Sequence, residues 1–413
     1  MPKGFYLLIL AQFASGLADN ALMILGIYFL QEQGYPGWWS PLLKFSFTLS
    51  YVALASVVGP VVDAFVKGRL MACMNLLKLV GVGLLLCGVQ PFVGFALAGL
   101  AAAVYAPAKY ALVTQSVPPA LLVKANAWLE VSVVMAVLLG VVLGGWLTGW
   151  HAHAEVLAAG AALQTAAPWL AQTQLGPALL FLCMIYLVSA CMNAGLHAMD
   201  AQQVRHALTW QSIQWALFWK NNRQLWVDPM GGLSLYVTTL SWGVGAVLQF
   251  AVLTWAQSKV GLNLQQGAYL QALVAVGVIF GAVLAASVFQ IFTARKAMPW
   301  GLVLAALLPS LALTTSLWWA VPMLILAGCA GGMLLVPMNA LLQHRGQKLL
   351  TSGRSIAVQG FNENLSVLIM LGIYSILVAW QVPLLPVMLL LMLPLLAAAM
   401  PWCQKIWQQA FAR

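Results

Sequence analysis

Apolar runs of about twenty residues follow one another along this chain, separated by short stretches where charge, proline or glycine gathers. At 1.5 Å of rise per residue, a helical run of that length crosses the roughly 30 Å hydrocarbon core of a bilayer. A helix also pairs its backbone N–H and C=O groups internally, as lipid demands. Composition points the same way. Of 413 residues, 63% are apolar and 6% charged, where a soluble domain carries roughly 25% charged residues. Eighteen basic and eight acidic side chains are too few to clothe a soluble globule of this size. The chain reads as an all-α, multi-pass membrane protein.

Twelve transmembrane helices are expected, in two sets of six. The first set covers 5–30, 43–65, 70–89, 91–113, 123–147 and 177–199. A polar stretch, 200–228, follows. The second set covers 231–256, 267–292, 298–315, 319–343, 355–379 and 384–402. The division is therefore an N-terminal six-helix half at 1–199, a cytoplasmic linker at 200–228 and a C-terminal half at 229–413. Met1-Pro2-Lys3 leads directly into an apolar run longer than a signal h-region and without a small-residue cleavage site, so the first span reads as retained.

Charge sets the orientation. With a cytoplasmic N-terminus, fourteen of the eighteen Lys and Arg fall in cytoplasmic segments, among them Lys67, Arg69, Lys124, Arg223, Arg295, Arg345 and Arg354. Both termini are then cytoplasmic, and a bacterial inner membrane is the expected location. The net charge of +10 is scattered singly and in pairs, so it marks loops and not a nucleic-acid surface. Six cysteines (Cys73, Cys87, Cys183, Cys191, Cys329, Cys403) lie in apolar stretches without C-x-x-C spacing and read as buried small hydrophobes. Trp38, Trp39, Trp146, Trp150, Trp318 and Trp319 stand at outer span ends as interfacial anchors. The long outer loop 150–176 carries His151, His153 and Glu155 without helical i, i+4 spacing, a weak metal signal, and no metal site is expected. No phosphate-binding loop is present, so no nucleotide is implied.

An offset of about 230 residues recurs. Leu97-Ala98-Gly99 before Pro107 parallels Leu326-Ala327-Gly328 before Pro337, and seventeen residues after each proline comes a basic residue, Lys124 or Arg354. The same offset relates Lys109 to Asn339 and Asp19 to Gln249. Duplicated halves around a polar midplane site are the pattern of a transporter that rocks one half against the other.

Three acidic residues fall inside spans: Asp19, Glu130 and Glu363. A carboxylate at a helix centre costs on the order of 3 kcal/mol to insert, so it faces a partner or a watery pathway. Asp19 stands about 20 Å from the start of span one, and the two glutamates about 10 to 14 Å into spans five and eleven. Each is either a pathway residue or one arm of an interhelical ion pair, with Lys78 and Lys109 as available cations. Asn20 beside Asp19, with Gln12, Ser15 and Gly16 before it, makes a polar stretch in an otherwise apolar helix. Gln359, Asn362, Glu363 and Asn364 form a second. Lys109 follows Pro107, whose ring frees a backbone carbonyl, and is a candidate for an anionic headgroup; the alternative is that it snorkels to the interface. An ammonium and an acid together suit a zwitterion carrying phosphate and amine. The expected substrate-binding set is Asp19, Asn20, Lys109, Glu130, Gln249, Asn339, Gln359, Asn362 and Glu363.

Gly59, Asp63, Lys67 and Arg69 fit G-x-x-x-D-x-x-x-[RK]-x-[RK], and the stretch resembles the signature of the major facilitator superfamily, where acid and bases form a cytoplasmic latch. These four are the expected gating residues.

Along nearly its whole length the chain resembles the bacterial lysophospholipid transporters of that superfamily. The resemblance is carried by Ala11-Gln12-Phe13 leading to Asp19-Asn20-Ala21-Leu22, the stretch from Tyr105 to Tyr110, and Lys124-Ala125-Asn126 leading to Glu130. Val336-Pro337 with Asn339 to Gln343, and Ile356 to Gln359 followed by Glu363-Asn364, complete it. It implies a flippase, not an enzyme, that moves lysophosphatidylethanolamine and related lysophospholipids from the outer to the inner leaflet. It also implies an acyltransferase/acyl-carrier-protein synthetase as functional partner, no cofactor, and a monomer. Two positions depart from the family pattern: Gln249 stands where relatives carry Arg, and His344 where they carry an acid. The absence of an H-x-x-x-x-D motif leaves reacylation to a separate protein. The competing reading is a proton-coupled efflux or solute porter using the same carboxylates.

Overall fold

The structure is a computed structural model, and it describes residues 1, 4–34, 39–149, 165, 175–196, 206–262 and 264–411. Among these, fourteen α-helices are joined by short turns and 3-10 segments, with no strand. In chain order they are α1 (Phe5–Glu32), α2 (Trp39–Ala53), α3 (Ala55–Ala64), α4 (Lys67–Leu86), α5 (Pro91–Ser116), α6 (Leu122–Thr148) and α7 (Gly176–Ala194), then α8 (Trp215–Val227), α9 (Pro229–Val260), α10 (Leu264–Val288), α11 (Pro299–Leu313), α12 (Leu317–Leu349), α13 (Ser352–Ala379) and α14 (Leu384–Phe411).

Local chemistry sets several ends. Pro229 opens α9 where its missing N–H is not needed, while Asp228 caps the helix by accepting from the N–H groups of Met230 (3.2 Å) and Gly231 (2.7 Å). The same helix stops at Gly261, whose φ of 70° is the left-handed conformation that glycine adopts without penalty.

Among the described residues, ten helices are long and apolar enough to cross a membrane. The expectation of twelve like spans needs one amendment. Span two is broken: its halves, α2 and α3, meet at Leu54 with a bend of 76°. The stretch expected as linker also contains structure of its own, the 3-10 turn Trp210–Ile213 and α8. Trp38, Trp150 and the candidate metal cluster His151, His153, Glu155 lie outside the described residues.

The described chain forms two compact units. The first comprises Met1–Ser116, Ser132–Phe218 and Ser352–Ala357, and the second Val117–Val131, Trp219–Thr351 and Val358–Arg413. In the first, Leu22, Leu25, Phe29, Phe95, Leu182 and Tyr186 pack into one core. In the second, Trp255 is wholly buried among Leu308, Leu324 and Met388, its indole N–H donating to Thr314 O at 2.8 Å.

Small residues bring helices into backbone contact inside each unit. In the second, Gly277 and Gly281 of α10 cross Gly328 and Gly332 of α12, so that a Cβ on Gly328 would lie 2.0 Å from Val274 O. In the first, a Cβ on Gly99 of α5 would lie 2.8 Å from Phe47 Cα in α2. Adding 230 carries Gly99 to position 329 and Phe47 to position 277, so the sequence repeat is echoed in the packing of each unit.

The cysteine expectation is corrected. Of the five described, none is buried: Cys73 and Cys191 are exposed and Cys87, Cys183 and Cys329 half-buried. In a chain whose outer surface meets lipid, an apolar side chain gains nothing by facing inward. Trp318 and Trp319, expected as anchors, are 90% and 68% exposed.

Candidate functional site

The first unit holds a polar network in the midst of apolar helices. On α1, Gln12, Ser15 and Asp19 recur at i, i+3 and i+7 and share a face. On α7, Tyr186, Ser189 and Asn193 repeat that spacing. Between them come Asn75 and Lys78 of α4. Ser15 Oγ donates to Asn75 Oδ1 (2.8 Å), Asn75 Nδ2 donates to Ser189 Oγ (2.7 Å), and Ser189 Oγ donates to Ala11 O (2.7 Å). Lys78 Nζ donates to Asp19 Oδ2 at 2.6 Å and to Ser15 Oγ at 3.0 Å, while the Tyr186 hydroxyl donates to Asp19 Oδ1 at 2.8 Å. Of the two readings for Asp19, the interhelical ion pair is the one present, although the carboxylate keeps 19% of its side-chain surface exposed.

Lys109 of α5 belongs to a second hydrogen-bonded group that also starts from α1. It is 6% exposed and its Nζ donates to Gln12 Oε1 at 3.0 Å while lying 4.5 Å from the Tyr110 ring centroid. It therefore turns inward and does not snorkel. Gln12 in turn donates to Ser132 Oγ of α6 at 2.5 Å. Asn193 Nδ2 reaches the Tyr105 hydroxyl at 3.2 Å, and its Oδ1 is buried without a hydrogen-bond partner.

The second unit contains three smaller clusters. Gln359 of α13 donates both to Asn339 Oδ1 of α12 (2.9 Å) and to Glu363 Oε1 one turn along its own helix (2.7 Å). Glu130 of α6 is 8% exposed. Asn362 turns elsewhere: it donates to Asn222 Oδ1 of α8 (2.8 Å) and accepts from the Trp226 indole (3.2 Å). Asn126 and Gln343 exchange two amide hydrogen bonds, each of 2.9 Å, and are 3% and 1% exposed.

The latch residues occupy the first unit. Asp63 Oδ1 accepts from the Gly353 N–H at 2.8 Å, in the first turn of α13, where a carboxylate meets unpaired N–H groups and the positive end of the helix dipole. A Cβ on Gly59 would lie 2.8 Å from Arg354 Cα, so only glycine permits this approach. Lys67 is wholly buried and Arg69 exposed.

The expected site residues are thus placed unevenly. Asp19 and Lys109 lie in the first unit in separate hydrogen-bonded groups, and Asn339, Gln359 and Glu363 form a group in the second. Asn20 bonds back to Gly16 O in its own helix (2.8 Å). Gln249 is exposed and pairs with Gln271, donating at 3.4 Å and accepting at its backbone carbonyl at 2.8 Å. Sequence reasoning did not single out Asn75, Ser132, Tyr186, Ser189 or Asn193. The i, i+3, i+7 spacing of polar residues on α7 was the signal that marks that face.

A profile of the Major Facilitator Superfamily matches residues 8–370. Among curated proteins, the lysophospholipid transporter LplT of Shigella flexneri is 37% identical over 387 residues, covering 93% of this chain and 91% of its own length. The protein of the same name from Klebsiella pneumoniae (strain 342) is 35% identical over 382 residues, covering 92% and 90%. Among solved structures, the human organic anion transporter MFSD10 superposes with a TM-score of 0.73 at 13% identity, over 96% of this chain and 99% of that one. The transporter FucP in its outward conformation gives 0.72 at 16% identity, over 96% of each. The two structures share the fold, and the sequence relatives fix the group: the chain belongs to the major facilitator superfamily, in the family whose curated members are named lysophospholipid transporters.

Proposed function

We propose that this protein is a lysophospholipid flippase, carrying lysophosphatidylethanolamine and related one-chain lipids from the outer to the inner leaflet of a bacterial inner membrane. The curated relatives support the substrate class, each named a lysophospholipid transporter at 35–37% identity along nine-tenths of the chain. The observation that carries the reading within this chain is the inward-turned Lys109. It is a buried ammonium held by a neutral amide, beside an ion pair, in helices otherwise apolar.

The physical task divides by substrate part. Exposing an acyl chain of about sixteen carbons to water would cost on the order of 10 kcal/mol, at about 0.8 kcal/mol per methylene, so the chain stays against apolar surface throughout. The headgroup cannot cross hydrocarbon bare. It is met by polar side chains of each unit: in the first, Lys109 takes the phosphate with Asn20 in support, and in the second, Glu130, Gln249, Asn339, Gln359, Asn362 and Glu363 supply donors and acceptors. Gly59, Asp63, Lys67 and Arg69 gate the pathway at its cytoplasmic end. Both termini are cytoplasmic by the distribution of Lys and Arg. The chain works as a monomer and delivers its cargo to a separate acyltransferase/acyl-carrier-protein synthetase.

Transfer of labelled lysophosphatidylethanolamine between leaflets of proteoliposomes tests the reading, with the diacyl lipid as control and with or without a proton gradient. Fast, one-chain-selective transfer that ignores the gradient is the expected result. No transfer above empty liposomes by folded protein refutes it, and transfer of other solutes that collapses with the gradient points to a proton-coupled porter.

A further inference from the structure

The last two turns of α8 are inside out for a helix that faces water. Asn221, Asn222 and Leu225 are turned into the second unit, at 8% exposed or less, while Trp219 is 51% and Val227 72% exposed, with Lys220 and Arg223 on the same outer face. The inward face is tied down: Asn222 Oδ1 accepts from Asn362 Nδ2 at 2.8 Å, and Gln224 donates to Leu349 O, at the end of α12, at 3.2 Å. A solvated helix gains by the reverse choice, amides outward and tryptophan inward.

The 3-10 segment Ile291–Ala297 shows the same pattern three residues at a time. Ile291, Ala294 and Ala297 are buried; Phe292 and Arg295, which eclipse each other in such a helix, stand outward with Lys296 beside them, and Phe292 is 81% exposed. The segment is fastened at its start, where the Gln290 N–H donates to Thr293 Oγ1 at 2.9 Å, and Ala294 packs with Leu334 and Met338. Topology sets it at the same end of the second unit as α8. There α9 leaves directly after α8, α10 returns to the 3-10 segment, and α11 leaves again at Pro299. Both segments end within two residues of a spanning helix, so their outward side chains stand beside the headgroups of one leaflet. Among the described residues none of Lys220, Arg223, Arg295 and Lys296 is in an ion pair, and the neighbouring acid, Asp228, is held by Arg345.

We propose that Trp219, Lys220 and Arg223, with Phe292, Arg295 and Lys296, form a binding surface for anionic two-chain phospholipids of the leaflet bordering this end of the second unit, the cytoplasmic one in the orientation proposed above. The four cations meet the phosphodiesters, and the two exposed rings lie at the boundary between headgroup and acyl chain. The occupant is lipid and not a soluble partner, because each of two separate segments pairs an exposed aromatic with bases at the foot of a spanning helix. That pattern fits a boundary that is apolar on one side and charged on the other. These lipids are bound and not carried: the surface uses none of the candidate substrate-binding residues, and it stands whichever solute the transporter moves.

The experiment measures Tm of the purified full chain in neutral-detergent micelles with added phosphatidylglycerol or, as control, phosphatidylcholine. The anionic lipid is expected to raise the wild-type Tm by at least about 3 °C more than the control does. That excess is expected to fall by about half or more between about 0.05 and 0.5 M salt. The fourfold variant Lys220→Gln/Arg223→Gln/Arg295→Gln/Lys296→Gln should lose at least about two-thirds of it, and Trp219→Ala/Phe292→Ala about half. Lys259→Gln, in the last turn of α9 and so at the other end of that helix, should keep all of it. No excess in wild type overturns the proposal and leaves the face to a protein or nucleic acid. An excess that ignores salt, one retained by the fourfold variant, or one lost equally in Lys259→Gln overturns it as well. The first two of these results need no variant, so the test stands even where the substituted chains do not fold. Lysolipid transfer is read separately in liposomes free of phosphatidylglycerol, so failure of the flippase reading and failure of this surface are distinct outcomes.

Discussion

Gly328→Ala tests the backbone contact between α10 and α12, the two helices of the second unit whose glycines interlock. The added Cβ would sit 2.0 Å from Val274 O, 2.9 Å from Val278 N and 3.0 Å from Val274 C. An ordinary carbon–oxygen contact is on the order of 3.4 Å, so the helices must part locally by more than about 1 Å. The carbonyl cannot swing aside, because inside α10 it accepts its own helical hydrogen bond. Overpacking of this kind costs about 1–3 kcal/mol, and parting the crossing gives up Cα–H···O contacts worth about 0.5–1 kcal/mol each, so a loss of about 2–4 kcal/mol is expected. Gly331→Ala is the control: it lies three residues along the same helix with nothing within 4 Å of the new atom. It should be neutral or stabilising by about 0.5–1 kcal/mol, since alanine is the better helix former. Thermal unfolding of the purified protein in detergent, followed by circular dichroism, reads the difference, which should be at least about 5 °C in Tm between the two variants. Equal midpoints for Gly328→Ala and Gly331→Ala would refute the reasoning.

Removing either member of the reciprocal Asn126–Gln343 pair strands a buried amide; each alanine variant should lose about 1–3 kcal/mol, and a double-mutant cycle on the unfolding midpoints should show strong coupling. Asp63→Asn keeps an acceptor for the Gly353 N–H and should retain more lysolipid transfer than Asp63→Ala, whereas Gly353→Ala, whose Cβ would lie 2.6 Å from Gly59 O, should lose transfer about tenfold or more. Asp228 is held below the usual carboxylate range, first by its hydrogen bond from Arg345 (2.5 Å to Nη2), then by the N–H groups of Gly231 and Met230, against its partial burial. Its folded-state value is depressed, so the stabilisation is present above the unfolded value of 3.8 and is lost as pH falls through the lower folded value. The Tm gap between wild type and Arg345→Gln should therefore hold while pH stays above the unfolded value of 3.8 and shrink as pH falls below it. Lys109→Met should cut transfer about tenfold or more with expression and Tm preserved, and wild-type transfer in that variant would remove Lys109 from the headgroup path.

What could be read from the sequence was set by how each feature is encoded. Spans are written in runs of apolar residues, because lipid imposes length and composition on every one of them, and α1, α4, α5, α9 and α12 appear close to where those runs lie. The break in span two was not legible. Leu54 stands between Ala53 and Ala55 with no glycine or proline at the bend, so nothing in the local chemistry announces it. Asp19, Lys78 and Lys109 were visible as charges in apolar surroundings. Their partners were not, because which helices face each other is a property of packing. Ser15, Asn75 and Ser189 are short polar residues common at helix interfaces, and only their convergence distinguishes them. Gln249 looked equivalent to Asp19 through the repeat, but its pairing with Gln271 follows from an exposed position.

The bend at Leu54 also bears on how the two repeats have parted company. Leu54 itself stays bonded on both sides: its N–H reaches Ser50 O at 3.0 Å, and its O takes the N–H groups of both Val57 and Val58 at 2.9 Å. The chain turns by 76° across this one residue. The equivalent helix in the second repeat, α10, runs unbroken and is pinned to α12 by four glycines. One second span thus turns into a ten-residue arm, Ala55–Ala64, that carries Asp63 near its end, while the helix 230 residues further on runs straight.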